Sequence, residues 1–159
     1  MNKQEIMERF IARLSDELDA LTEAAKKTIA TATDGEHVAR SKYETFGLES
    51  SYLARGQAQR VEELTFGLEQ LKGLQLEATS KSVLLGALIR LEEVDGDEVR
   101  NLFLVPSAGG EELEVEGEMV LLITPTSPVG KSIVGKKPGD LIEMGAGFEA
   151  QRFRIESVS

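Results

Sequence analysis

Apolar or small residues recur at alternating steps of three and four from Met7 through Ile11, Leu14, Leu18, Leu21, Ala25 and Ile29 to Ala32, and no proline or glycine interrupts them before Gly35. That spacing keeps one face of an α-helix apolar. Glu8, Arg9, Asp16, Glu17, Asp19, Glu23, Lys26 and Lys27 fill the other faces. The pattern predicts one helix of about 30 residues, about 45 Å long at 1.5 Å per residue. Its stripe is too narrow to be buried alone, so the chain has to supply a partner for it.

The partner follows past residue 50. Leu53, Gln57, Val61, Leu64, Leu68 and Leu71 repeat the same spacing, and Gly73 is a natural stop. Between the two seams, Asp34-Gly35 and Phe46-Gly47 break the periodicity, and polar residues dominate. The chain reverses there, with a bend near 33–50, and the two helices are expected to pack as an antiparallel coiled coil over residues 1–76. A coil of this kind has a second use, as a dimerisation or bundling element of an interaction scaffold.

After Gly73 the pattern changes to short apolar runs: "SVLLGALIRLEEV", "EVRNLFLVP", "EELEVEGEMVLLIT", "DLIEM" and "FEAQRFRIESV". Asp95-Gly96, Gly109-Gly110, Gly117, Pro138-Gly139 and Ala146-Gly147 separate them as turns. Residues 77–159 therefore read as a compact, mostly antiparallel β domain with one short helix over Ser127 to Val134. The fold class is α+β, a helical hairpin joined to a β-rich globule.

Within that domain "PTSPVGKSIVGKKPGD" holds a Gly-Lys-Ser that invites a phosphate-loop reading. Such a loop needs a glycine five residues before its Gly-Lys-Ser, and here that place is Pro125. Proline has no amide hydrogen to offer an anion and a fixed φ. The stretch "MGAGFEA" imitates a dinucleotide fingerprint, but too little chain follows it for a helix, a strand and a ribose-binding acid. A hairpin turn is the simpler reading.

Composition narrows the function classes. The formal net charge of −10 argues against gripping nucleic acid independently, since that affinity comes mostly from Lys and Arg on phosphates. The absence of cysteine excludes disulfides and thiolate metal sites. No apolar run approaches the roughly 20 residues that span a bilayer, and the N-terminus "MNKQEIMERF" lacks the apolar stretch of a signal peptide. The expectation is a cytoplasmic protein with no membrane partner. A single histidine, His37, lies in a polar segment, and no nucleophile-base constellation is legible, so no independent enzymatic activity is expected.

The order Ser127-Pro128, Gly135-Lys136 and Gly139-Asp140, followed by "AQRFRIESV", resembles the C-terminal domain of the GreA/GreB transcript-cleavage and elongation factors. The stretch "ESSYLARGQAQR" is similar to the start of that family's second coiled-coil helix, with Tyr52 at its characteristic tyrosine. The resemblance implies an FKBP-like β domain carrying a long antiparallel coiled coil. It also implies a monomer that binds bacterial RNA polymerase, the β domain docking at the rim of the secondary channel and the coil reaching inward. Ser127, Pro128, Lys131, Lys136 and Lys137 are then the candidate partner-binding residues. FKBP-like does not mean prolyl isomerase: an aromatic pocket would have to come from Phe103, Phe148 and Phe153, which lie in strand-like runs and read as core.

The family's cleavage motif runs Asp, two residues, Glu-Asn-Ala-Glu-Tyr. With its tyrosine on Tyr52, Thr45, Leu48 and Glu49 fall at the first Asp, the Glu and the Asn. Glu44 and Glu49 each lie one residue out of register and are the candidate tip acids. They have no cofactor of their own, and their implied role is to share Mg²⁺ with the polymerase active site, since magnesium tolerates one or two protein carboxylates beside its waters. The alternative is that these acids are solvated or helix-terminal charges, which makes the protein a channel-binding regulator without cleavage activity.

Overall fold

The computed structural model describes residues 2–34, 43–77, 80–145, 147 and 150–159, and within these the side chains of all but residues 29, 31–34 and 43–53. The elements in chain order are α1 (Lys3–Asp34), α2 (Tyr43–Lys72), β1 (Leu88–Glu93), β2 (Val99–Leu104), β3 (Glu112–Val115), β4 (Glu118–Ile123), α3 (Pro128–Ile133), β5 (Leu141–Met144) and β6 (Gln151–Val158). They form two compact units, one of Ile11–Leu68 and one of Met1–Phe10 with Glu69–Ser159. Among the described residues no helix is long and apolar enough to cross a membrane.

The first unit is the helical hairpin that the two seams predict. Leu14, Ala25, Leu64 and Leu68 are buried, and Ile11, Leu18, Leu21, Gln57 and Val61 are half-buried. Arg60 on α2 reaches Glu17 on α1 at 3.3 Å. One boundary differs from expectation. Helix α2 starts at Tyr43 rather than past residue 50, so much of the segment assigned to the bend is helical. Phe46-Gly47 does not break it, because a glycine inside a helix costs only about 1 kcal/mol relative to alanine. His37 lies outside the described residues.

The second unit is built on a six-stranded sheet in the order β3-β4-β2-β1-β6-β5. All neighbours are antiparallel except β2 and β4, which run parallel with Phe103 opposite Leu122. Side chains alternate between the two faces. On one face Ile89, Leu91, Leu102, Leu104, Phe153 and Ile155 form a buried core with Val83 and Ile133. On the other, Leu88, Phe103, Val120 and Leu122 are equally buried. Ile6, Met7, Phe10 and Leu71, from the helix ends that belong to this unit, are buried too. The two compact units divide within the helices.

Polar groups on the sheet are satisfied. Asn101, buried between strands, donates to Glu118 Oε2 at 2.8 Å and to the Met119 carbonyl at 3.3 Å. Arg90 bridges Glu118 at 2.6 Å and Glu156 at 2.7 Å. The hydrogen bond from Asn101, followed by that from Arg90, holds the Glu118 carboxyl below its ordinary value. The outer strand β3 carries exposed Glu112 and Glu114, and β5 carries exposed Glu143. Charges on edge strands discourage pairing with another chain.

Candidate functional site

The segment from Thr124 to Asp140 is assembled around one carbonyl. Where β4 ends, the Thr124 oxygen accepts from the Ser127 amide at 3.0 Å and from the Ser127 hydroxyl at 2.8 Å. Ser127 Oγ in turn accepts from the Gly130 amide at 3.0 Å, so Ser127 is the N-cap of α3. Pro128 occupies the first turn, where its missing N–H costs nothing. Gly130 then lies directly on the strand end, where a Cβ would stand 1.8 Å from the Thr124 oxygen. Ile133, with no exposed surface, anchors the helix in the core.

This geometry disposes of the phosphate-loop reading. The Gly130 amide is used by Ser127 Oγ, and the Lys131 amide by the Ser127 carbonyl at 2.9 Å. Ser132 donates its hydroxyl back to the Val129 carbonyl at 2.7 Å. The amides of the Gly-Lys pair are turned into the helix and not toward an anion. The glycine is there for close approach.

Past α3 the chain is tied down on both sides. Gly135 donates to the Val83 carbonyl at 2.9 Å, and Val83 donates to the Lys136 carbonyl at 2.8 Å. The Lys137 amide donates to Asp140 Oδ2 at 2.8 Å, closing the Lys-Pro-Gly-Asp turn. Gly139 and Asp140 then bond to Ile155 on β6 at 2.8 and 2.9 Å. The predicted partner-binding residues are therefore held on a rigid frame, and the structure brings them together in one continuous segment.

Their surroundings are apolar and cationic. Lys131 and Lys137 are exposed and Lys136 is half-buried. Arg90, Arg100 and Arg152 are each paired with a carboxylate. No ion pair to a described residue is formed by Lys131, Lys136 or Lys137. The hydrogen bonds that Val83 accepts from Gly135 and donates to Lys136 put the turn bearing Leu84 and Leu85 beside the end of α3, where Val134 lies. These three apolar side chains are 50%, 46% and 45% exposed. A groove of about 420 Å³ opens along Gly109, Leu121, Thr124, Ser127, Pro128 and Val129, so Ser127 and Pro128 form part of its wall.

Sequence reasoning missed Leu84 and Leu85, which stand within "SVLLGALIRLEEV" and read as strand core. The strand begins only at Leu88, because Gly86 at φ 83° turns the chain first. That glycine was the available signal. Phe103 and Phe153 are buried in the interior, as expected, and neither lines the groove. Phe148 lies outside the described residues. The "MGAGFEA" stretch joins β5 to β6, whose ends pair as Met144 opposite Gln151, which is the hairpin the sequence suggested.

The backbone of Glu44 and Glu49 falls in the first two turns of α2, while their side chains lie outside those described. Among the described residues no group of three or more His, Cys, Asp or Glu side chains is arranged to hold a metal ion.

The GreA from Clostridium kluyveri is 25% identical over 153 residues, covering 93% of this chain and 91% of that protein. The GreA from Thermodesulfovibrio yellowstonii is 26% identical over 153 residues, covering 92% and 90%. Among solved structures, Gfh1 from Thermus aquaticus is 22% identical with a TM-score of 0.40 over 92% of each chain. A GreA/GreB factor from Nitrosomonas europaea is 23% identical with a TM-score of 0.38, over 60% of this chain and 78% of that one. Residues 78–159, which contain the whole Thr124–Asp140 segment, match the family described as "Transcription elongation factor, GreA/GreB, C-term". The chain belongs to the GreA/GreB family of transcription elongation factors.

Proposed function

We propose that this protein binds bacterial RNA polymerase through the surface of Ser127, Pro128, Lys131, Lys136 and Lys137, at the rim of the secondary channel, and inserts the bend of its hairpin to modulate elongation. The observation that carries this reading is a local reversal of charge. Lys131, Lys136 and Lys137 have no ion pair to a described residue and stand beside exposed Leu84, Leu85 and Val134, on a chain of net charge −10. That combination fits an acidic protein surface with an apolar stripe. A nucleic-acid backbone would meet repulsion from the rest of the molecule. In this reading the chain is a cytoplasmic monomer that touches nucleic acid only within the polymerase and hydrolyses nothing by itself.

In the cleavage-stimulating form of the proposal, Glu44 and Glu49 share the polymerase's Mg²⁺, which activates water for attack on RNA. A second form, a regulator that occupies the channel without promoting cleavage, is favoured by two observations. Thr45 and Leu48 stand where the family motif carries its acids. Because α2 is already helical at Tyr43, the positions of Glu44 and Glu49 are separated by five helical residues, about 140° around the axis.

Stalled elongation complexes distinguish the forms. RNA shortened faster than in buffer, with the gain abolished by Glu44→Ala or Glu49→Ala, supports the first. Binding without acceleration supports the second. Failure to bind polymerase removes both.

A further inference from the structure

We infer that Asp140 is a positioning residue for polymerase docking, whose carboxylate sets the pose of Lys137 as a hydrogen-bond acceptor and not as a charge. This role presupposes that the lysine surface is the polymerase site proposed above. Lys136 and Lys137 are neighbours in sequence, yet different parts of the fold hold them. The Lys136 amide donates to the Ile133 carbonyl at 3.1 Å, and the Lys136 carbonyl accepts from Val83 at 2.8 Å. Both partners are core residues with no exposed surface. Among the described residues, both backbone groups of Lys137 go instead to Asp140: the amide donates to Oδ2 at 2.8 Å, and the carbonyl accepts from the Asp140 amide at 3.0 Å. Lys137 hangs on this one residue.

Asp140 can hold a neighbour because it is itself anchored. Its carbonyl accepts from the Ile155 amide at 2.9 Å, and the adjacent Gly139 amide donates to the Ile155 carbonyl at 2.8 Å. Ile155, on β6, has no exposed surface. Between Lys137 and Asp140 the chain turns through Pro138 and Gly139, the latter at φ 94°, a pair suited to a turn that needs a negative φ and then a positive one. A path of hydrogen bonds therefore runs from the sheet core through Asp140 to the lysine.

Charge does not explain an acid at this place. A carboxylate on the same turn as a docking lysine repels the acidic surface that the lysines fit. Asp140 is exposed and forms no ion pair to a described residue, so it does not neutralise the lysines either. What it supplies is a short side-chain acceptor within reach of a local backbone amide. Asn offers an oxygen at the same distance from the backbone without the charge, and Glu offers the charge one methylene further out. Geometry and charge can therefore be separated by substitution.

Asp140→Asn, Asp140→Glu and Asp140→Ala in the full-length chain test this, read as affinity for purified RNA polymerase and as hydrogen exchange of the Lys137 amide by NMR. Asp140→Asn should bind within about twofold of wild type or tighter and keep the Lys137 amide protected, while Asp140→Glu and Asp140→Ala should bind about fivefold more weakly and exchange that amide about tenfold faster. A residue acting through its charge gives a different order: Asn and Ala shift together, in either direction, and Glu stays with wild type. That order overturns the role of Asp140, and so does unchanged binding in all three variants. If Asp140→Ala melts earlier than wild type, Asn against Glu decides, because each keeps a polar side chain at the turn. Wild-type protein that fails to bind polymerase removes the docking surface and this role with it, whereas either overturning pattern beside a wild type that binds removes the role of Asp140 alone.

Discussion

Gly130 lies so close to Thr124 that a Cβ on the glycine would stand 1.8 Å from the threonine carbonyl oxygen. The contact welds α3 to the end of β4 and sets the attitude of the lysines that follow. Gly130→Ala must push the helix off the strand and should cost about 2–3 kcal/mol, read as a lower midpoint in urea with an unchanged slope. Ser127→Ala removes only the cap and should cost about 1 kcal/mol. If Gly130→Ala is the milder change, the close approach is not what positions α3.

The polar cluster on the sheet gives stability a dependence on acid. The Glu118 carboxyl is held below its ordinary value of 4.5, by Asn101 first and Arg90 second. A depressed carboxylate contributes stability that is complete above its unfolded value and is lost as pH falls through its folded value. Thermal melting of the wild type should therefore lose stability below pH 4.5, and Glu118→Gln should show a shallower loss across that window. Identical acid profiles would show that the cluster contributes nothing through ionisation.

The exposed apolar turn has a different signature. Leu84 and Leu85 are about half exposed and outside the strand, so Leu84→Ser with Leu85→Ser should shift the melting temperature little, since exposed substitutions commonly stay within about 0.5 kcal/mol. The same pair should weaken polymerase binding about tenfold or more, as centrally placed apolar contacts do. A large loss of stability with unchanged binding would assign these leucines to the fold instead.

What the sequence made legible was local. The seams from Met7 and Leu53, and the capped helix at Ser127 to Val134, were readable because their signals lie within a turn or two of the residues they govern. The parallel pairing of β2 with β4 was not, because it joins Asn101 to Val120 across β3, and turn residues specify only neighbouring hairpins. Ile6 and Phe10 keep the three- and four-residue steps with Met7 and Leu14, but that the helix ends bearing them belong to the sheet unit is something no periodicity announces. At the candidate site Ser127, Pro128 and the lysines could be named from their motif. Leu84 and Leu85 could not, since their exposure depends on the hydrogen bonds that tie Val83 to Gly135 and Lys136.

The central claim is that a cationic patch on an acidic protein docks on polymerase, and its most direct measurement is the affinity for purified RNA polymerase of the protein carrying Lys131→Glu, Lys136→Glu and Lys137→Glu. The account predicts at least about tenfold weaker binding at low salt, with the wild type losing affinity as salt rises and the variant losing less. Equal affinity and equal salt dependence in a variant with an unchanged melting temperature would contradict it.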